Sequence, residues 1–289
     1  MAGNFKRPGR FGTIVAGVSM RYFVSKTSTD GLGNVLKAYI SILSINPRSY
    51  IVCNPDFMYG AYDTLLAPKH IFDFSDPSPA IWHYGWRLCV LHEETKQQRH
   101  CSNECDKWPG FDNPYFLRHF SPRVHIDHTY NAQRISAPVK ERILSAIAQL
   151  RFLPPVLEQA NAWRQEIGDE PALAVAVRTW KAKHEHNVDR NYSQSAYRKA
   201  IAANLAGLST VVLSADTDDT LDEYARWLAA FSVRVVKLHQ APHMNALQSA
   251  ASKMLAFAHC SRLVAAWLST YTELIWWFGG CQARVIPVQ

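Results

Sequence analysis

Apolar and polar residues change rhythm partway along this chain. From residue 172 onward, short runs that are apolar on both faces alternate with longer stretches of helical spacing. Strands are predicted over 172–177, 210–213, 233–237, 262–266 and 283–288. Helices are predicted between them over 195–205, 220–231, 246–259 and 272–278, the last ending at Gly279-Gly280. A strand that is apolar on both faces must be covered on both, and strands that alternate with helices of about three turns pair in parallel. Residues 170–288 therefore read as a Rossmann-like α/β lobe.

Upstream the pattern is less regular. A strand is predicted over 20–24, a tight turn at Gly31-Leu32-Gly33 and a helix over 34–45. In that helix Leu36, Tyr39, Ile40 and Leu43 form one stripe, and Lys37, Ser41 and Ser44 mark a narrow polar face. A second strand is predicted over 50–53, before the turn Asn54-Pro55-Asp56. Residues 77–135 are aromatic and loop-like, with one possible strand over 86–91. Helices over 137–152 and 156–167 then bridge to the α/β lobe, with Pro138 suited to a first turn and Pro154-Pro155 to a stop. The chain thus divides into a basic N-terminal segment (1–18), an N-terminal lobe (19–155) and a C-terminal lobe (156–289).

Composition narrows the class. Hydrophobic residues make up 48% and charged residues 19%, which fits a folded globular protein and excludes a disordered one. The aromatic residues serve core packing, or else line a cleft and stack on sugar rings or a base. The net charge of +7 fits an anionic partner. Only Lys6, Arg7 and Arg10 cluster, and a dedicated nucleic-acid binder would gather its cations on one element, so nucleic acid is not expected. The apolar stretch 13–20 is too short for a signal peptide, and no run approaches the ~20 apolar residues that span a membrane. With six dispersed cysteines, the expectation is a soluble, cytoplasmic protein. His100, Cys101, Cys105, His125, Asp127 and His128 lack the paired spacing of a zinc site, so no metal is expected.

Ligands of an open parallel sheet bind outside the carboxyl ends of its strands. Three predicted strands end in suitable groups. The first runs into Arg178-Thr179-Trp180-Lys181, with His184-Glu185 beyond. The second ends in Ser214-Ala215-Asp216-Thr217-Asp218-Asp219, and the fourth is followed by Ser269-Thr270-Tyr271-Thr272-Glu273. Arginine offers a planar fork of donors to phosphate, and hydroxyls with free amides at a helix start attract anions. An aspartate can accept from a base edge or a ribose hydroxyl. Each feature also has a plainer role, as a surface ion pair or a helix cap. Together on one sheet edge they point to a nucleotide site. Upstream, Gly31 and Gly33 precede a helix and permit close backbone approach. There is no P-loop, and the dinucleotide pattern fails because position 36 is Leu.

Four motifs occur in order: Gly31-Leu32-Gly33-Asn34, Val175-Ala176-Val177-Arg178, Val211 through Asp216, and Ser269-Thr270-Tyr271-Thr272. In that order they resemble the fucosyltransferase superfamily that includes the nodulation, core α1,6- and protein O-fucosyltransferases. The likeness covers residues 170–280, extends more thinly over 20–55 and is absent from 77–135. It implies a GT-B-like α/β enzyme, with two Rossmann-like lobes, parallel sheets and a cleft between them. It also implies metal-independent, inverting transfer of fucose from the donor substrate GDP-fucose to a glycan acceptor, with no cofactor. On this resemblance Arg178 holds the β-phosphate and acts in catalysis, Asp216 reads guanine or ribose, and Ser269, Thr270 and Thr272 contact phosphate. Gly31, Gly33 and Asn34 approach the donor from the opposite lobe.

Glu185 lies near the position where some members carry a carboxylate and is the candidate general base; its plainer role is a surface salt bridge. Lys181 and Lys183 would favour the leaving diphosphate. The chain departs from the family pattern at Ala176, where His is common, and at Trp180-Lys181, where an acid is common. These departures keep two alternatives open: a non-catalytic nucleotide- or glycan-binding module, and a glycosyltransferase using another nucleotide sugar. Residues 77–135 are where acceptor recognition is expected.

Overall fold

A computed structural model describes residues 22–24, 32–45, 49–52, 62–72, 137–179, 193–266 and 269–288. The expected strand over 86–91, the basic segment 1–18, the stretch 13–20, the candidate metal ligands between 100 and 128, Gly31, and Trp180 through Glu185 lie outside these residues.

The C-terminal half carries the predicted alternation. Its strands are β4 (Ala172–Val177), β5 (Thr210–Ala215), β6 (Arg234–Lys237), β7 (Arg262–Ala266) and β8 (Arg284–Val288). All pair in parallel, in the order β6-β5-β4-β7-β8. The connecting helices are α4 (Gln194–Ala202), α5 (Asp218–Leu228), α6 (Ala246–Phe257) and α7 (Thr270–Phe278). Two further helices, α2 (Ala137–Gln149) and α3 (Pro154–Ile167), precede the sheet.

Alternation along the central strand sorts its side chains into two cores. Leu173, Val175 and Val177 face one way and meet Tyr197 and Ile201 of α4 and Leu221, Tyr224 and Leu228 of α5. Ala172, Ala174 and Ala176 face the other way, where their small side chains leave room for Phe257, Trp276 and Trp277. Each fully buried large apolar side chain contributes about 1.5–3 kcal/mol, so both faces are strongly held.

Helix ends are set by side-chain caps rather than by hydrophobicity. Thr217 caps α5 through Thr220 N–H, and Asn245 forms a reciprocal capping box with Gln248 at the start of α6. Ser269 caps α7, which begins at Thr270, two residues before the apolar spacing predicts.

The N-terminal half holds a three-stranded parallel sheet, β1 (Tyr22–Val24), β2 (Ser49–Val52) and β3 (Ile71–Phe72), with α1 (Leu32–Ile45) between β1 and β2. β3 is not apparent in the sequence pattern, being only two residues long. Leu36, Tyr39, Ile40 and Leu43 are buried as expected, in the same core as α2, α3, α6 and α7. The polar face of α1 is corrected by the structure. Lys37 is 2% exposed, and its ammonium pairs with Glu273 of α7 at 2.5 Å. The reason is distant in sequence, since α1 packs directly on α7.

His70 ties this half to the connection between α2 and α3. It is buried, its Nδ1 lies 2.8 Å from the Tyr39 hydroxyl, and its Nε2 accepts from the Arg151 N–H. Burial first, then the charges of Lys69 and Arg151, pull its pKa down to about 4, so the ring is neutral at pH 7. Among the described residues no helix is long and apolar enough to cross a membrane.

Candidate functional site at the sheet switch point

The strand order places a crevice. The chain runs from β4 outward through β5 and β6, then returns to β4's other flank with β7 and continues outward to β8. The direction of winding therefore reverses between β4 and β7, and in such sheets ligands sit outside the carboxyl ends at that reversal. Arg178 follows β4 directly, and Ser269 and α7 follow β7. Asp216 follows β5, whose Ala215 pairs with Val177 of β4, so register alone sets Asp216 beside Arg178.

The exit from β4 is held on both sides. The Tyr197 hydroxyl donates to the Ala176 carbonyl at 3.2 Å and accepts from the Arg178 N–H at 3.3 Å. The Asp216 carboxylate accepts from the Thr179 N–H at 2.9 Å through Oδ2 and from the Thr179 hydroxyl at 2.8 Å through Oδ1. Arg178 Nη1 lies 3.9 Å from Asp216 Oδ2, too far for a hydrogen bond but close enough for charge attraction. The arginine side chain is 35% exposed and the aspartate 4%, so the carboxylate is buried and the arginine is partly accessible.

The α7 end is built from hydroxyls and amides. The Ser269 side chain accepts from the Thr272 N–H at 3.3 Å, and the Thr272 hydroxyl donates back to the Ser269 carbonyl at 3.0 Å. Thr272 is 1% exposed, and Ser269 and Thr270 are half-buried. Gly33 reaches this end from α1. A Cβ at Gly33 would stand 2.6 Å from the Tyr271 N and 2.7 Å from the Thr270 hydroxyl, so only glycine lets the two helices come so close. One turn further, Lys37 meets Glu273, whose other oxygen lies 3.4 Å from the Trp277 indole N–H.

A secondary charged cluster stands past β5 and β6. His239 Nδ1 lies 3.7 Å from the exposed Asp218. Lys253 of α6 has its pKa lowered by burial, against the opposing attraction of Asp218.

The structure thus gathers the sequence-predicted residues into two groups on one edge: Arg178 with Asp216, and Ser269, Thr270 and Thr272 with Gly33. Asn34 is in the first turn of α1, and nothing is described of its side chain. Glu185, Lys181 and Lys183 are outside the described residues. Among the described residues no group of three or more His, Cys, Asp or Glu could hold a metal ion. Thr179 and Glu273 were named in the strand-end motifs and Lys37 on a polar helix face, but none was given its role, and Tyr197 was not singled out. Thr179 adjoins Arg178 and could have been suspected; the others depend on tertiary contacts that carry no local signal.

Neither a family sequence model nor a curated protein sequence matches the chain. Solved structures do match. The fucosyltransferase NodZ from Bradyrhizobium aligns at 17% identity over 89% of this chain and 93% of its own, with a TM-score of 0.51. NodZ α1,6-fucosyltransferase co-crystallized with GDP aligns at 17% identity over 89% and 92%, with a TM-score of 0.50. POFUT1 in complex with GDP-fucose aligns at 11% identity over 92% and 98%, also with a TM-score of 0.50. The chain has a fucosyltransferase-like α/β fold of the GT-B kind.

Proposed function

We propose that this protein is a glycosyltransferase that moves fucose from GDP-fucose to a glycan acceptor, without a metal and with inversion at the sugar carbon. The observation that carries the reading is Arg178, held at the reversal point of a parallel sheet with its side chain partly exposed and the amino end of α7 following the adjacent strand. Its fork of donors suits a diphosphate, and the α7 amides add partial positive charge on the same edge. The names of the fold's relatives, which include complexes with GDP and GDP-fucose, support a guanine nucleotide sugar as donor.

In the reaction the acceptor hydroxyl oxygen bonds to the fucose anomeric carbon as the bond from that carbon to the β-phosphate oxygen breaks. GDP leaves with the electron pair, and Arg178 stabilises the negative charge that grows on it. The acceptor proton passes to Glu185 as general base. Lys181 and Lys183 reinforce the attraction for the leaving group.

A thermal-shift comparison of GDP, UDP, ADP and their sugars tests the donor, since a ligand of the native state raises apparent stability. GDP and GDP-fucose should give the largest shifts, and incubation of GDP-fucose with glycan acceptors in the absence of metal should yield fucosylated product. Arg178→Ala should abolish donor use. Full activity in that variant, or a preference for another nucleotide, would defeat the reading. Ala176 favours a second reading, a module that binds nucleotide without turnover: it is 8% exposed and offers no polar group where the family commonly has His. GDP binding with neither transfer nor donor hydrolysis would support it.

A further inference from the structure

We propose that Asp216 serves the nucleotide diphosphate indirectly, as a positioning residue that fixes Arg178, and does not read the base or ribose. The inference rests on the reading of Arg178 as a diphosphate ligand.

A carboxylate that reads a base or ribose must present an oxygen to the ligand. Asp216 turns its oxygens inward. Both accept from Thr179, one from the main-chain N–H and one from the hydroxyl, and the aspartate side chain is 4% exposed. Thr179 is itself 1% exposed, so the joint is buried. It lies one residue beyond Arg178, on the opposite side from the Tyr197 hydroxyl that grips Ala176 and Arg178. The main chain around the arginine is therefore fixed before and after the residue.

The 3.9 Å separation between Arg178 Nη1 and Asp216 Oδ2 supplies the second part of the argument. At that distance the aspartate attracts the guanidinium by charge without engaging it in a hydrogen bond. The attraction biases the position of the guanidinium without occupying its donors in a bond to Asp216. Such a joint matters because recognition by a planar fork depends on placement: a shift of about 1 Å in a positioning element can cost about 100-fold.

The proposal separates from base reading by a probe that has no base. Binding of GDP and of inorganic pyrophosphate is measured by isothermal titration for the unmodified full chain and for Asp216→Ala, Asp216→Asn, Arg178→Ala and the Arg178→Ala/Asp216→Ala double variant. Asp216→Ala should weaken GDP and pyrophosphate by the same factor, about 10- to 100-fold. Asp216→Asn, which keeps an acceptor for the Thr179 N–H but loses the charge that attracts Arg178, should recover part of that loss, equally for both probes. In the Arg178→Ala background, removing Asp216 should add almost nothing.

Weakened GDP binding with unchanged pyrophosphate binding would overturn the proposal in favour of base or ribose reading, and additive losses in the double variant would also overturn it. If Asp216→Ala does not fold, Thr179→Val gives the same comparison with one of the two bonds removed. It should weaken both probes equally, and loss for GDP alone again overturns the proposal. If the unmodified protein binds neither probe, the diphosphate reading fails, and this proposal with it. If it binds both and only the variants disagree, the diphosphate reading stands and this proposal alone fails.

Discussion

Lys37 and Glu273 offer the sharpest test of how the two halves are joined. Both side chains are nearly inaccessible, at 2% and 4% exposure, and they meet at 2.5 Å across the α1–α7 contact. Replacing Lys37 by Met removes the cation and leaves a carboxylate buried with the Trp277 N–H 3.4 Å away. A bond of that length recovers little of the lost solvation. Breaking a buried pair by removing one partner costs about 3–5 kcal/mol, because the remaining charge is uncompensated. Glu273→Leu, which removes the carboxylate that the buried ammonium meets, should also destabilise the protein. The double variant should behave differently: replacing a buried pair by apolar groups of similar volume is often neutral or stabilising.

Urea unfolding followed by tryptophan fluorescence and by far-UV circular dichroism measures all three. Coincidence of the two probes tests whether a single free energy is meaningful. In a thermal scan with the same probes, each single change should lower the melting temperature by on the order of 10 °C, from about 2–4 °C per kcal/mol for chains of this order of size. The double variant should lie closer to the unmodified protein than either single one does. Two results would refute the reasoning: single changes that cost under about 1 kcal/mol, or a double change as costly as the sum of the singles.

Gly33→Ala should destabilise the protein by about 1–3 kcal/mol in the same assay, because the new methyl would meet main-chain atoms of Thr270 and Tyr271. Stabilisation, which helix propensity alone would give, would contradict that contact. His70 should make stability pH-dependent. Its folded pKa is lowered to about 4 from 6.5, so its contribution is complete above pH 6.5 and is lost as pH falls toward 4. The loss should reach up to about 3 kcal/mol by pH 4 and should be smaller in His70→Asn; identical pH slopes would remove His70 as the cause. Tyr197→Phe leaves the Ala176 carbonyl and the Arg178 N–H without their hydroxyl partner. It should cost about 1–3 kcal/mol in unfolding and also weaken GDP binding, and an unchanged midpoint would contradict the pinning role.

The C-terminal sheet was legible because its signal is local. Strands such as Leu173 to Val177 are apolar on both faces, and each next strand repeats the pattern after a helix. Arg178, Asp216 and Ser269 were legible as a group because strand ends in parallel sheets converge on one edge. What each does there was less readable. An aspartate at a strand end looks alike in sequence whether it faces a ligand or, as Asp216 does, accepts from Thr179 just past the neighbouring strand. Only the β4–β5 register brings those two together. Lys37 shows the same limit from the other side. On a helical wheel it marks a polar face, and its burial depends on a glutamate 236 residues away. Thr272 was legible as a hydroxyl near the site, but its bond to the Ser269 carbonyl is a property of the capped helix start.

That separation of 236 residues also bears on how the molecule comes to be folded. The apolar stripe of α1 is made well before the surface of α7 that receives it, which lies 236 residues further along the chain. At about 5–20 residues per second the delay is roughly 10–50 s. During that interval Leu36, Tyr39, Ile40 and Leu43 have no final seat on α7, and a nascent chain with such a stripe is a substrate for chaperones. The long-range closure also raises contact order, which slows folding from the denatured state. The α1–α7 contact that Gly33 makes possible thus cannot form until α7 has been made.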